Sequence, residues 1–107
     1  MALSEFSIID TYFRQSKSKR VITGIGDDAA VIEILPNTQI VTSIDTLVKD
    51  IHFSVNILPR DLGYKALAVN LSDLAAMGAT PDTALLALTL EKANKKWLED
   101  FSEGFFL

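Results

Sequence analysis

The chain of 107 residues contains no cysteine and a single histidine, His52. Without thiols it cannot form a disulfide, a thiolate metal site or a cysteine nucleophile, and one imidazole does not suffice for an ordinary zinc centre. One histidine without an elbow motif also gives no support to a serine–histidine–acid triad. There is no Walker A pattern and no complete G-x-G-x-x-G, so neither a P-loop nor a Rossmann fold is predicted.

An excess of positive charge is lacking as well. The formal net charge is -4, from 14 acidic and 10 basic residues, and no basic stripe is present. Binding to nucleic acid through its phosphates is therefore not expected. Asp73, Pro81 and Asp82 interrupt the apolar stretches, which predicts no membrane span, and the N-terminal residues do not resemble a signal peptide. The composition, 49% hydrophobic and 22% charged, is typical of a globular protein, which we expect to be cytoplasmic.

The apolar spacing predicts an α+β domain with the element order α-β-β-α-β-α. Pro59 and Asp61 are residues that begin helices, Gly78 is one that ends them, and Asn94 is a typical helix cap. The predicted elements are a helix at 5–15, a hairpin of strands 29–34 and 39–44, a helix at 62–77, a strand at 83–90 and a last helix from Asn94.

Three carboxylates lie in apolar surroundings on three different predicted elements. The hairpin would bring Asp28, near the start of one strand, beside Asp45, near the end of the next. Asp73 lies within an apolar helix, where a carboxylate is costly unless it is paired or bound to a metal, and Asn70 shares its face. Carboxylates without sulfur ligands suit a hard cation such as Mg²⁺, which commonly binds substrate phosphates too.

Each of these residues also has an ordinary structural interpretation. Asp28 and Asp45 could serve only turn chemistry, and the helix face of Asp73 could simply meet solvent. His52 could be a packing or surface residue rather than one that contacts a phosphate or polar substrate group. For Lys65 we prefer a local ion pair with Asp61, four residues earlier on the same helix.

Most of the chain resembles the N-terminal part of the thiamine-monophosphate kinase family. The glycine- and aspartate-rich segment 24–28 and the Asp45-Thr46 pair recur in the wider superfamily of aminoimidazole ribonucleotide synthetase and selenophosphate synthetase. The run 65–79 and the His52-Phe53 pair look specific to the kinase. The segments that carry the resemblance are 5–9, 24–30, 43–48, 52–53 and 64–79.

The resemblance implies ATP and thiamine monophosphate as substrates, Mg²⁺ as the metal, and direct in-line transfer. It assigns no residue of this chain as a catalytic acid or base, and it gives His52 a substrate contact. One departure is Ile44, where the family usually has threonine. A backbone carbonyl ligand would survive this change, whereas a hydroxyl ligand would not. The implied magnesium ligands are Asp28, Ser43, Asp45 and Asp73.

The resemblance also implies a two-domain protein whose N-terminal domains pair into a β-barrel across a homodimer. Residues 1–107 are then expected to be an incomplete N-terminal domain that binds ATP and magnesium, without the C-terminal domain and inactive alone. The last helix is expected to expose its aromatic residues, so that the chain self-associates. Two alternatives remain: a synthetase of the same superfamily, and a non-catalytic module for dimerisation or metal binding.

Overall fold

The computed structural model describes residues 3–16 and 18–107, which fall into two compact units, Met1–Ile40 and Val41–Leu107. Positions 1 and 2, on which the prediction of no signal peptide partly rests, and position 17 lie outside the described residues. The order of helices and strands is α-β-β-α-α. This agrees with the predicted α+β class, and the differences from the predicted order concern the strands.

The first unit begins with helix α1, Glu5–Ile8, which continues into a π-helical turn, Ile9–Phe13. Ser4 caps the helix: its hydroxyl accepts the Ser7 N–H at 3.1 Å, and the Ser7 hydroxyl accepts the Ser4 N–H at 2.9 Å. This reciprocal pair satisfies donors that a helix start leaves open. The helix predicted for residues 5–15 is thus confirmed, apart from its last two residues and its π-helical second half.

The sheet of the first unit pairs strand β1, Val21–Thr23, with strand β2, Val31–Ile32, in antiparallel fashion. The predicted hairpin was therefore wrong, because β2 pairs with residues before it and no strand is found at 39–44 in the described chain. Gly26 explains the difference. Its φ of 110° is a conformation that residues with a side chain rarely adopt, and it lets the segment between β1 and β2 reverse tightly.

The second unit contains helices α2, Pro59–Ala76, and α3, Lys95–Phe105. Proline suits the first position of α2, because the N–H that it lacks would have no partner within the helix there. Gly78 ends the helix with a φ of 68°. The Asn94 side chain accepts the Trp97 N–H at 3.0 Å and caps α3. Both predicted helices are confirmed, and α2 begins three residues earlier than the predicted residue 62.

The core of the second unit is the contact between α2 and α3. Leu62 on α2 and Leu98, Phe101 and Phe105 on α3 are buried, and Phe101 stacks on Trp97 with ring centroids 4.9 Å apart. The prediction that α3 exposes its aromatic residues was wrong for Phe101 and Phe105, which are 2% and 8% exposed. Helix α2 covers them, and among the chain's last aromatic residues Phe106 stays exposed.

Residues 83–90, predicted as a strand, form neither helix nor strand in the described chain. Their nearly continuous apolar run suits a buried or half-buried strand, but a strand exists only when a second strand pairs with it. The side chain of Leu85 is 86% exposed, so the segment lacks the packing that its composition favours. Among the described residues, no helix combines the length and apolar character that crossing a membrane requires.

Candidate functional site

The loop that carries Asp28 is held by an arginine within the first unit. The guanidinium of Arg14, just after the π-helical turn, donates to the Ile25 carbonyl at 3.1 Å and pairs with the Asp10 carboxylate. The Asp27 carboxylate accepts the Asp28 N–H at 3.0 Å, which is ordinary turn chemistry. The Asp28 residue itself is exposed, so its carboxylate is accessible to a ligand from solvent.

In the second unit, three oxygen-bearing side chains meet on one face of α2. The Ser43 hydroxyl lies 3.4 Å from Asn70 Oδ1 and 3.3 Å from Asp73 Oδ2. Asn70 donates its amide to the Ala66 carbonyl at 3.0 Å, which fixes the amide so that its oxygen serves Ser43. Two predicted ligands, Ser43 and Asp73, are therefore brought together although they are 30 residues apart.

The environment of Asp73 differs from the buried one considered from sequence. Asp73 is exposed on α2, so no desolvation cost has to be offset. The interpretation that this helix face meets solvent fits the structure, and the contact with Ser43 adds a hydrogen bond to it. The sequence indicates Asn70 only as a neighbour of Asp73 on the same helix face. Its contact with Ser43 was missed, because spacing along a helix does not indicate which loop packs beside it.

The donor set around Asp73 suits a hard cation. A hydroxyl, an amide oxygen and a carboxylate are oxygen ligands of the kind that Mg²⁺ accepts. Asp45 is exposed and lies two residues beyond Ser43, and Asp28 belongs to the other unit. In residues 3–16 and 18–107, no three His, Cys, Asp or Glu side chains are grouped so as to hold a metal ion. The convergence of three carboxylates stays a prediction.

His52 lies in a closely hydrogen-bonded loop of residues 48–53. Its ring nitrogen Nδ1 accepts the backbone N–H of Val48 at 2.8 Å, and the backbone N–H of His52 donates to the Val48 carbonyl at 2.8 Å. The loop is closed further by the Asp50 N–H, which donates to the Phe53 carbonyl at 2.7 Å, while Asp50 has a φ of 65°. His52 is exposed, so a ligand can reach its ring.

Lys65 connects this loop to α2. Its ammonium donates to the His52 carbonyl at 2.6 Å. The preferred interpretation of Lys65 as the partner of Asp61 was wrong, because among the described ion pairs none joins these two residues. The physical reason is that the chain before α2 folds back and offers a carbonyl acceptor to a half-buried lysine. Spacing along one helix could not indicate that acceptor.

Comparison with known proteins places the chain in a family. Residues 26–106 match the family described as AIR synthase related protein, N-terminal domain, and the chain belongs to that family. The match includes both the aspartate loop of the first unit and almost all of the second unit. The predicted resemblance at the level of the superfamily is thereby confirmed.

Individual relatives are thiamine-monophosphate kinases. Over 108 aligned residues the chain is 52% identical to that of Buchnera aphidicola subsp. Acyrthosiphon pisum (strain APS), 54% to that of Salmonella typhimurium and 53% to that of Escherichia coli (strain K12). Each alignment covers 99% of this chain and 33% of the relative. The chain thus spans about a third of the length of the curated relatives it matches.

Proposed function

We propose that the full-length protein that carries this chain phosphorylates thiamine monophosphate, using ATP and Mg²⁺ and producing thiamine diphosphate and ADP. The observation that carries the proposal is identity of 52% to 54% with proteins named thiamine-monophosphate kinase, over 99% of the chain. The oxygen-rich face of α2 and the exposed His52 loop are compatible with it. Both lie within one compact unit.

In the proposed reaction an oxygen of the acceptor phosphate attacks the γ-phosphorus of ATP, and the bond to the β-phosphate oxygen breaks. Such a transfer depends on positioning and on neutralising charge, so it needs no covalent intermediate on the protein. Bound Mg²⁺ would supply the neutralising charge. The carboxylates and the hydroxyl of this chain would hold it, and His52 would contact thiamine monophosphate. The proposed metal ligands are Asp28, Ser43, Asp45 and Asp73.

The departure at Ile44 can be included in the proposal. The Ile44 side chain is 91% exposed and has no oxygen, so at this position only the backbone carbonyl could serve as a ligand. Threonine introduced here adds a hydroxyl without altering the backbone atoms. A metal dependence that is unchanged in Ile44→Thr therefore supports a backbone ligand, and a marked gain in magnesium affinity would contradict it.

A homodimer is part of the proposal. The segments predicted as strands at 39–44 and 83–90 leave apolar side chains exposed, among them Ile40, Val41, Ile44 and Leu85. Apolar segments with strand-forming composition are typical sites of pairing with another chain. Sedimentation of the full-length protein tests this, and a monomer at micromolar concentration would contradict it.

The decisive experiment is product analysis with the full-length protein. We expect thiamine diphosphate to form from thiamine monophosphate and MgATP, and to stop when a chelator removes the magnesium. ATP hydrolysis without thiamine diphosphate would favour a synthetase of the same superfamily. Absence of both reactions in a folded protein would favour a non-catalytic module. The isolated chain of 107 residues is expected to give no turnover, since it spans a third of the kinases it matches.

A further inference from the structure

The loop of residues 48–53 determines which nitrogen of His52 can act on a ligand. Nδ1 already accepts the Val48 N–H at 2.8 Å. A neutral imidazole carries one proton, so when Nδ1 is the acceptor the proton is on Nε2. The neutral ring therefore has a donor to offer and no second acceptor. A ligand that contacts it must present an acceptor, such as a phosphate oxygen.

This arrangement is held from outside the loop by Lys65. Its ammonium donates to the His52 carbonyl at 2.6 Å, while the His52 N–H donates to the Val48 carbonyl. Both backbone groups of His52 and one ring nitrogen are thus engaged. A hydrogen bond from an ammonium is about twice as strong as one between neutral groups, so Lys65 supplies a major restraint on the loop.

We infer that Lys65 is a positioning residue, which holds the His52 carbonyl so that the imidazole presents its Nε2–H to an acceptor group of the phosphorylated substrate. The identity of that substrate rests on the proposed function. The restraint itself does not, because the protonated nitrogen of His52 can be identified without turnover. Helix α2 is the fixed element from which Lys65 acts.

The kinetic test compares three variants of the full-length protein. Lys65→Met removes the ammonium but keeps the apolar stem, and we expect the KM for thiamine monophosphate to rise roughly tenfold while the KM for ATP stays unchanged. Lys65→Arg, which keeps a cationic donor, should restore most of the affinity. Lys92→Met, at an exposed position outside the helices and strands, is the matched control and should behave as the unaltered protein.

A double variant separates an action through His52 from a direct contact. If Lys65 acts through the imidazole, adding Lys65→Met to His52→Ala should raise the KM for thiamine monophosphate no further. Multiplication of the two single effects would mean that Lys65 touches the substrate itself, and would overturn the inference. A rise in the KM for ATP equal to that for thiamine monophosphate would overturn it as well.

The second measurement uses the nitrogen NMR signals of His52, assigned by their loss in His52→Ala. The unaltered protein should show Nε2 protonated and Nδ1 as an acceptor, and Lys65→Met should show a mixture of the two neutral forms. Unchanged signals in Lys65→Met overturn the inference whether or not the protein is a kinase. A mixture in a protein that makes no thiamine diphosphate supports the restraint and contradicts the proposed function. Should Lys65→Met not fold, Lys65→Gln takes its place in both measurements.

Discussion

Gly63→Ala is expected to destabilise the second unit, although alanine is the better helix former. A Cβ atom at Gly63 would lie 2.0 Å from the Phe101 carbonyl oxygen, which belongs to the backbone of α3 and cannot rotate away. An ordinary contact begins at 3.4 Å, so the two helices would have to separate by about 1.4 Å. Gly104 meets the Arg60 carbonyl in the same way, so each helix contributes one glycine to the contact.

The magnitude follows from what the separation does to the core. A gap of roughly 0.5–1 Å already forfeits a quarter to a half of a dispersion contact, and Leu62, Leu98 and Phe101 would all lose contacts. Overpacking alone costs about 1–3 kcal/mol, and together with these lost contacts we expect the total to reach about 3–4 kcal/mol. Alanine returns about 1 kcal/mol through its helix propensity. The free energy of unfolding should therefore fall by about 2–3 kcal/mol.

Urea unfolding followed by Trp97 fluorescence measures this change, because Trp97 is the single tryptophan of the chain and stacks on Phe101. The matched control is Gly78→Ala. Gly78 has a φ of 68°, and a Cβ atom added there would meet nothing within 4 Å, so only backbone strain of about 1 kcal/mol is expected. If Gly63→Ala proved as stable as the unaltered protein, or more so, the close contact between α2 and α3 would be refuted.

The remaining predictions concern the metal site, one ion pair and one loop. Asp45→Asn should lower kinase activity of the full-length protein by on the order of a hundredfold, while the control Asp50→Asn, at a φ of 65° that asparagine tolerates, should not. The hydrogen bond to Asp100, at 3.2 Å, raises the pKa of Lys96 above its ordinary 10.5. The ion pair therefore stabilises the fold fully below pH 10.5, and this stabilisation is lost as the pH rises through the raised pKa. Lys96→Met should therefore lower resistance to urea at neutral pH but not in strong alkali. If the variant were less resistant than the unaltered protein by the same amount at both pH values, a stabilising ion pair between Lys96 and Asp100 would be contradicted. Gly26→Ala should cost about 1–3 kcal/mol at a φ of 110° and raise amide exchange between β1 and β2; unchanged exchange would contradict the loop geometry.

The helix ends could be predicted from sequence because the signals are local. Pro59, Gly78 and Asn94 act within one turn of the residues that they start or stop, so no distant contact decides the outcome. Strand pairing is different. Residues 39–44 have the composition of a strand, but composition does not name a partner, and β2 instead pairs with the neighbour that the Gly26 reversal brings to it.

The candidate site shows the same division between contacts that local spacing predicts and contacts that depend on distant residues. Helical spacing dictates that Asn70 and Asp73 share one face of α2. That Ser43 meets this face, or that Lys65 reaches the His52 carbonyl, depends on how loops fold against α2, which periodicity does not contain. Ser43 contacts Asp73, and the role of these two residues as magnesium ligands, which the family resemblance implies, stays a prediction. The contact of Lys65 does not follow from any motif.

Side chains of helix α2 make two separate sets of contacts in the candidate site, one with the His52 loop and one with Ser43. We expect that each set can be disturbed without the other. Lys65 holds the His52 loop, whereas Asn70 and Asp73 hold Ser43. At a rise of about 1.5 Å per residue, Lys65 and Asp73 are about 12 Å apart along the axis, which is too far for either contact to depend directly on the other. Asp73→Asn should therefore change the magnesium dependence of the full-length protein and leave the nitrogen signals of His52 as they are. A change in those signals would mean that the two groups are one site and that α2 does not hold them independently.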